Sequence, residues 1–228
     1  MYKKLSLSIV IVLIFTCSIG FAAPSTWSKN TIDQGVQMGL IPNQLLDRYQ
    51  DNITREQFAG MILNLYELLS GEKVVLTVQN PFSDTTNVDI LKAYQVGIIS
   101  GTSVDKFSPS ANITREQIAV MFYKCLQLAV PSAVSEVPPV NFSDKAAISS
   151  WASDAVGFMS YNGLIAGTGD NTVSPKGNTT REQAMVLVTN TYDKYERNES
   201  ADVDRVELKP SEISKRVSPA VVYIETFD

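Results

Sequence analysis

"NITREQ" occupies residues 52–57, recurs unchanged at 112–117, and returns as "NTTREQ" at 178–183. Aligned on Thr54, Thr114 and Thr180, the three copies lie 60 and 66 residues apart. Apolar residues follow each in the same phase: Phe58, Ala59, Met61, Ile62 and Leu65; Ile118, Ala119, Met121, Phe122 and Cys125; Ala184, Met185, Leu187 and Val188. This spacing is the stripe of an amphipathic helix, three times over. A chain that repeats itself at such a period is organised by the repeat.

Upstream, "GIISGTSVDKFSPSANITREQ" at 97–117 matches "GLIAGTGDNTVSPKGNTTREQ" at 163–183 without a gap. The first copy, "GLIPNQLLDRYQDNITREQ" from Gly39, is two residues shorter. Still further upstream, "PFSDTTNVDILKAYQVG" corresponds to "NFSDKAAISSWASDAVGFMSYNG", which is six residues longer. Each unit is therefore expected to be a helix, a Gly-marked turn, an irregular loop and a second helix starting at "TREQ". The expected helices are 28–38, 54–69, 88–96, 114–128, 148–162 and 180–196. Gly39, Gly97 and Gly163 fall where a helix ends in a left-handed residue. The connectors "SGEKVVLTVQNP" and "AVPSAVSEVPPVN" could add a short strand. A two-helix unit of about 50 residues buries its own stripe poorly, and three packed together bury it well.

Within "TREQ", Thr and Gln three places apart form a capping box, which accounts for Thr54 with Gln57, Thr114 with Gln117 and Thr180 with Gln183. Glu56, Glu116 and Glu182 suit the positive end of the helix dipole. Arg55, Arg115 and Arg181 do not, since a cation in the first turn is unfavourable by about 0.3–1 kcal/mol. Two readings of these arginines stand: an ion pair with a carboxylate of a neighbouring repeat, or an anion site in which guanidinium and free helix-start amides converge on a carboxylate or phosphate.

"FSD", "GIISG", "FSP" and "ITREQ" before an amphipathic helix resemble the S-layer homology (SLH) module, over about residues 25–196. The resemblance implies a mainly α fold, three helix-loop-helix repeats in a pseudo-threefold bundle or spindle. It also implies non-covalent anchoring to the bacterial cell wall, by binding secondary cell-wall polysaccharide in grooves between modules. The glycan would be acidic, for example pyruvylated. Its carboxylate would meet Arg55, Arg115 and Arg181, while Asp84, Asp144, Trp27 and Trp151 would shape the sugar site. A Trp ring suits the apolar face of a sugar, but a core Trp is an equal alternative. Repeat one lacks the Asp of "FSD" and repeat two lacks the Trp, so one or two competent grooves are expected.

The resulting organisation is a signal peptide at 1–22, repeat one (degenerate) at 25–70, repeat two at 80–130, repeat three at 140–196, an acidic linker at 197–210 and a last segment at 211–228. The first 22 residues carry Lys3 and Lys4, an apolar run and small residues before an expected cleavage after Ala22, the order of an export signal. Cleavage leaves no membrane span and removes two of the 19 basic residues, so that 17 face 24 acidic ones, a net charge of −7. Nucleic acid is thereby an unsuitable partner. Only Cys125 remains in the mature chain, and its place on an apolar helix face marks it as a buried small hydrophobe.

The last 18 residues, "SEISKRVSPAVVYIETFD", resemble the start of an HtrA-type trypsin-like protease domain. With no histidine in 228 residues, a Ser-His-Asp triad has no general base. No catalytic residues, metal ligands or cofactor motifs are expected. The alternatives to wall anchoring are the front end of a truncated cell-surface protease and a self-assembling surface-layer protein whose arginines serve only as inter-repeat salt bridges. The expected location is the secreted, cell-wall-associated fraction.

Overall fold

The computed structural model describes residues 23–134 and 139–205, with backbone alone from 197 onward. The expected signal peptide and the 211–228 segment lie outside the described residues. The helices are α1 (Lys29–Gln37), α2 (Arg55–Ser70), α3 (Val88–Gln95), α4 (Arg115–Ala129), α5 (Ser153–Tyr161) and α6 (Arg181–Arg205). A short 3-10 turn at Ser150–Ala152 takes up the start of the span expected for the fifth helix, and another at Lys145–Ala147 precedes it. The sixth helix runs beyond 196, to Arg205. Among the described residues the connectors form no strand, and the fold is mainly α.

Local chemistry sets the boundaries. The capping boxes at Thr54 and Thr114 are complete, with Gln57 and Gln117 closing back on the threonine amides at 3.1 Å. Thr180 and Gln183 exchange the same pair of bonds. Gly39, Gly97 and Gly163 follow the first helix of each repeat at φ of 77°, 87° and 68°, a region that glycine enters without the clash a Cβ would bring.

Packing departs from the sequence repeat. Each second helix packs against the first helix of the following repeat: α2 with α3, α4 with α5, and α6 with α1. The last of these pairings closes the three repeats into a ring. At the ring's centre α2 also meets α4 and α6, and Phe58 stacks edge-on against Phe122 with centroids 5.5 Å apart. Phe58, Met61, Ile62, Leu65, Phe122 and Met185 are wholly or almost wholly buried. Cys125 is among them, and burial pushes its thiol pKa far up.

A second closure comes from the segments just before "TREQ". Ile53 donates its amide to the Thr179 carbonyl and Ile113 donates to that of Ile53. Isolated antiparallel bridges join Asn52 to Thr180, Thr54 to Asn112 and Thr114 to Asn178. The buried backbone groups of Ile53, Ile113 and Thr179 are thus satisfied across repeats.

Candidate functional site

The four letters of "TREQ" do different work in space. The first two helical amides of each copy donate to loop carbonyls of the next repeat. Arg55 and Glu56 reach Ala111 and Pro109, Arg115 and Glu116 reach Gly177 and Pro175, and Arg181 and Glu182 reach Asp51 and Tyr49, all at 2.9–3.1 Å. The third amide is held by the threonine hydroxyl. The amides expected to be free at these helix starts are therefore already bonded to the neighbouring loops.

The arginines follow the same path. Arg55 Nε donates to the Phe107 carbonyl at 2.9 Å and Nη2 to that of Ser100 at 3.3 Å, with the guanidinium 4.7 Å over the Phe107 ring. Arg115 repeats the arrangement with Val173 and Ala166, both at 2.7 Å. Arg181 instead meets the carbonyl and, at 2.6 Å, the carboxylate of Asp47. Asp47 stands in register with Phe107 and Val173, so copy one places a carboxylate in the loop itself. Of the two readings of the arginines, the inter-repeat ion pair describes Arg181, while Arg55 and Arg115 bind backbone carbonyls.

Asp84 accepts from the amides of Phe107 and Ser108 at 2.9 and 2.8 Å, and Asp144 from those of Val173 and Ser174 at the same distances. Each thus braces the loop that its arginine reaches. The Phe107 bond, with that of Ser108, holds the Asp84 carboxyl below its ordinary pKa. Burial lowers the pKa of Arg55 and Arg115, and the nearby Asp84 and Asp144 oppose that shift. Ser108, Ser174 and Arg48 occupy one register and all take left-handed φ, at 60°, 50° and 42°.

The helix dipole alone does not account for the glutamates, which brace the start of the next repeat's first helix. Glu116 accepts from the Ser149 amide and hydroxyl and from Lys176. Glu182 accepts from the Ser25 amide and from the hydroxyls of Ser25 and Ser28. Glu56 accepts from Asn87, the N-cap of α3. The sequence signal was available, because a glutamate in the same place three times exceeds what a solvated first turn needs.

Two grooves of about 480 and 490 Å³ result. One is floored by Leu164–Thr168 and α6 and includes Arg115 and Trp27; the other is floored by Ile98–Thr102 and α4 and includes Arg55 and Trp151. Each draws its turn and helix from one repeat, its arginine from the preceding repeat and its tryptophan from the following one. A Cβ on Gly101 would lie 2.7 Å from the Ser103 carbonyl and 2.8 Å from that of Lys106, so only glycine lets this floor fold. Trp27 and Trp151 are each 58% exposed, which removes the core-tryptophan reading.

The corresponding surface on α2 is built differently. Gly60 takes the register of Val120 and Val186, and a Cβ there would meet Asp89 Oδ2 at 3.9 Å. Asn64, in the register of Lys124 and Asn190, donates to the Leu40 carbonyl. Among the described residues no helix is long and apolar enough to cross a membrane, and no group of acidic or thiol side chains suits a metal ion.

Residues 81–119 and 141–185 match the family model of the S-layer homology domain. Over 169 residues the chain is 28% identical to an amylopullulanase of Thermoanaerobacterium thermosulfurigenes, covering 71% of this chain and 9% of that one. An endoglucanase of a Bacillus species is 33% identical over 147 residues, 61% of this chain and 15% of the enzyme. A surface-layer 125 kDa protein of Lysinibacillus sphaericus is 23% identical over 190 residues, 81% and 15% of the two chains. The chain thus spans only 9% to 15% of the length of these relatives. With the repeats, the ring closure and these matches together, residues 81–119 and 141–185 are two segments similar to the S-layer homology domain, and the relatives include a surface-layer protein.

Proposed function

We propose that this chain anchors to the cell wall by binding secondary cell-wall polysaccharide in the Trp27/Arg115 and Trp151/Arg55 grooves. The observation that carries the reading is an exposed indole beside an arginine in each groove, contributed by different repeats. The indole supplies an apolar face for a sugar ring, and the guanidinium, tied to the loop, adds positive potential, common to both grooves, for a polymer with acidic substituents such as a pyruvyl ketal. Asp84 and Asp144 act at one remove, by fixing the loops whose carbonyls orient Arg55 and Arg115. Arg181, paired to Asp47 and lacking a neighbouring tryptophan, closes the ring, so two grooves work and the third does not. The net negative charge of the chain gives no long-range pull on an acidic polymer, and binding depends on these local contacts, which salt weakens.

The test is co-sedimentation with purified wall sacculi. Because both indoles are largely exposed, a Trp27→Ala, Trp151→Ala chain is expected to keep the parent's melting temperature and to lose binding by about tenfold or more. Parent-like binding by this folded variant would refute the groove assignment. Sacculi whose acidic groups have been removed chemically are expected to retain less protein.

A further inference from the structure

The two grooves can be superposed residue by residue through the repeat register. Leu164, Ile165, Gly167, Thr168, Gln183 and Arg115 answer to Ile98, Ile99, Gly101, Thr102, Gln117 and Arg55. Apart from the buried Thr179, which lines the Trp27 groove in the register of Ile113, they part company in polar character at one pair of facing positions. The Trp151 groove has Ser100 and Lys124, with Nζ donating to the Ser100 hydroxyl at 3.3 Å. The Trp27 groove has Ala166 and Asn190 there.

The arginines cannot make this distinction. Both are tied through Nε and Nη2 to two backbone carbonyls, and each has its own nearby carboxylate, Asp84 or Asp144. Lys124 differs in kind: it is half-buried, its recorded partner is a neutral hydroxyl, and it forms no ion pair among the described residues. No Asp or Glu lines either groove. The Trp151 groove therefore carries one more uncompensated positive charge than the Trp27 groove, next to an indole of the same exposure.

We propose that the grooves divide the polymer between them: the Trp151 groove takes a carboxylate-bearing sugar, selected by Lys124, and the Trp27 groove takes a neutral one. In the second groove the Asn190 amide offers both a donor and an acceptor to hydroxyl or acetamido groups. The inference rests on the polysaccharide-binding reading above. A polymer carrying both kinds of unit engages the two grooves at once, and the second contact is made at the high effective concentration of a tethered ligand.

The chain's two tryptophans, one in each groove, allow the grooves to be read separately by fluorescence. In Trp27→Phe the signal reports the Trp151 groove, and in Trp151→Phe the Trp27 groove. The probes are oligosaccharides released from wall polysaccharide, with their carboxyl groups intact or reduced to alcohols. In Trp27→Phe the intact fragments are expected to bind about fivefold more tightly than the reduced ones at low salt, as suits one partly exposed charge pair. In Trp151→Phe the two probes are expected to bind alike. Lys124→Asn added to Trp27→Phe abolishes the preference, and Asn190→Lys added to Trp151→Phe creates one. Equal preference in the two grooves, or a preference that survives Lys124→Asn, overturns the division of labour while leaving polysaccharide binding intact. If neither indole responds to either probe, with the variants melting as the parent does, the binding reading fails and this inference fails with it.

Discussion

Replacing Arg55 with Met tests whether the "TREQ" arginine holds the ring together. Arg55 is 4% exposed, and methionine keeps most of its stem's packing while removing every donor. The bond to the Phe107 carbonyl, at 2.9 Å, is buried; the bond to Ser100, at 3.3 Å, is partly buried and ends on an exposed residue that water can serve. An orphaned buried carbonyl costs about 1–3 kcal/mol, and a lost charge-assisted bond at the wetter site adds about 1 kcal/mol. Loss of the guanidinium over the Phe107 ring adds about 0.5–1 kcal/mol. The sum, roughly 3 to 4 kcal/mol after allowance for non-additivity, corresponds to a melting temperature lower by about 6–16 °C in a chain of this size. Thermal unfolding followed by far-ultraviolet circular dichroism reads it directly. Arg55→Lys, which keeps the charge but not the planar fork, is expected to fall between the two. If Arg55→Met melts within about 2 °C of the parent, the loop carbonyls are not held by this side chain as described. The result also bears on function, since wall binding lost in an arginine variant is interpretable only in a variant shown to be folded.

Two further predictions concern titratable groups. Because the Phe107 and Ser108 amides depress the Asp84 carboxyl, its contribution is present above the unfolded carboxylate value of about 3.9 and is lost as pH falls through the lower folded value. The gap in melting temperature between parent and Asp84→Asn is therefore expected to be widest at about pH 6–7 and to narrow as pH falls below that reference value, and a gap independent of pH would show that the carboxylate does not brace the loop. Cys125, buried with a raised thiol pKa, is expected to resist an aqueous thiol reagent in the native protein and to react fully in denaturant; prompt native reaction would contradict the packing of α4 on α2 and α5.

The sequence determined what short-range physics determines. A capping box spans three residues, a helical stripe repeats every three or four, and a left-handed glycine is a property of one backbone position; each was legible in "TREQ", in the apolar phase and in Gly39, Gly97 and Gly163. The exposed tryptophans were legible as candidates, but not as surface residues, because an indole fits a core and a sugar site equally well.

Only the tertiary structure decided the partners. Arg55 finds its carbonyls 45 and 52 residues onward, and Glu182 reaches Ser25 across 157 residues. Backbone carbonyls are present at every residue and leave no mark in the sequence, so the destination of a guanidinium among them is set by chain closure alone. The same closure pairs each second helix with the first helix of the next repeat, a choice of partner that the repeat alone left open. Two helices joined by a loop can pack on each other or on their neighbours with the same apolar stripe. The ring is the arrangement that lets the three "TREQ" helix starts, the loop carbonyls facing them and the carboxylates of Asp84 and Asp144 find bonding partners at once.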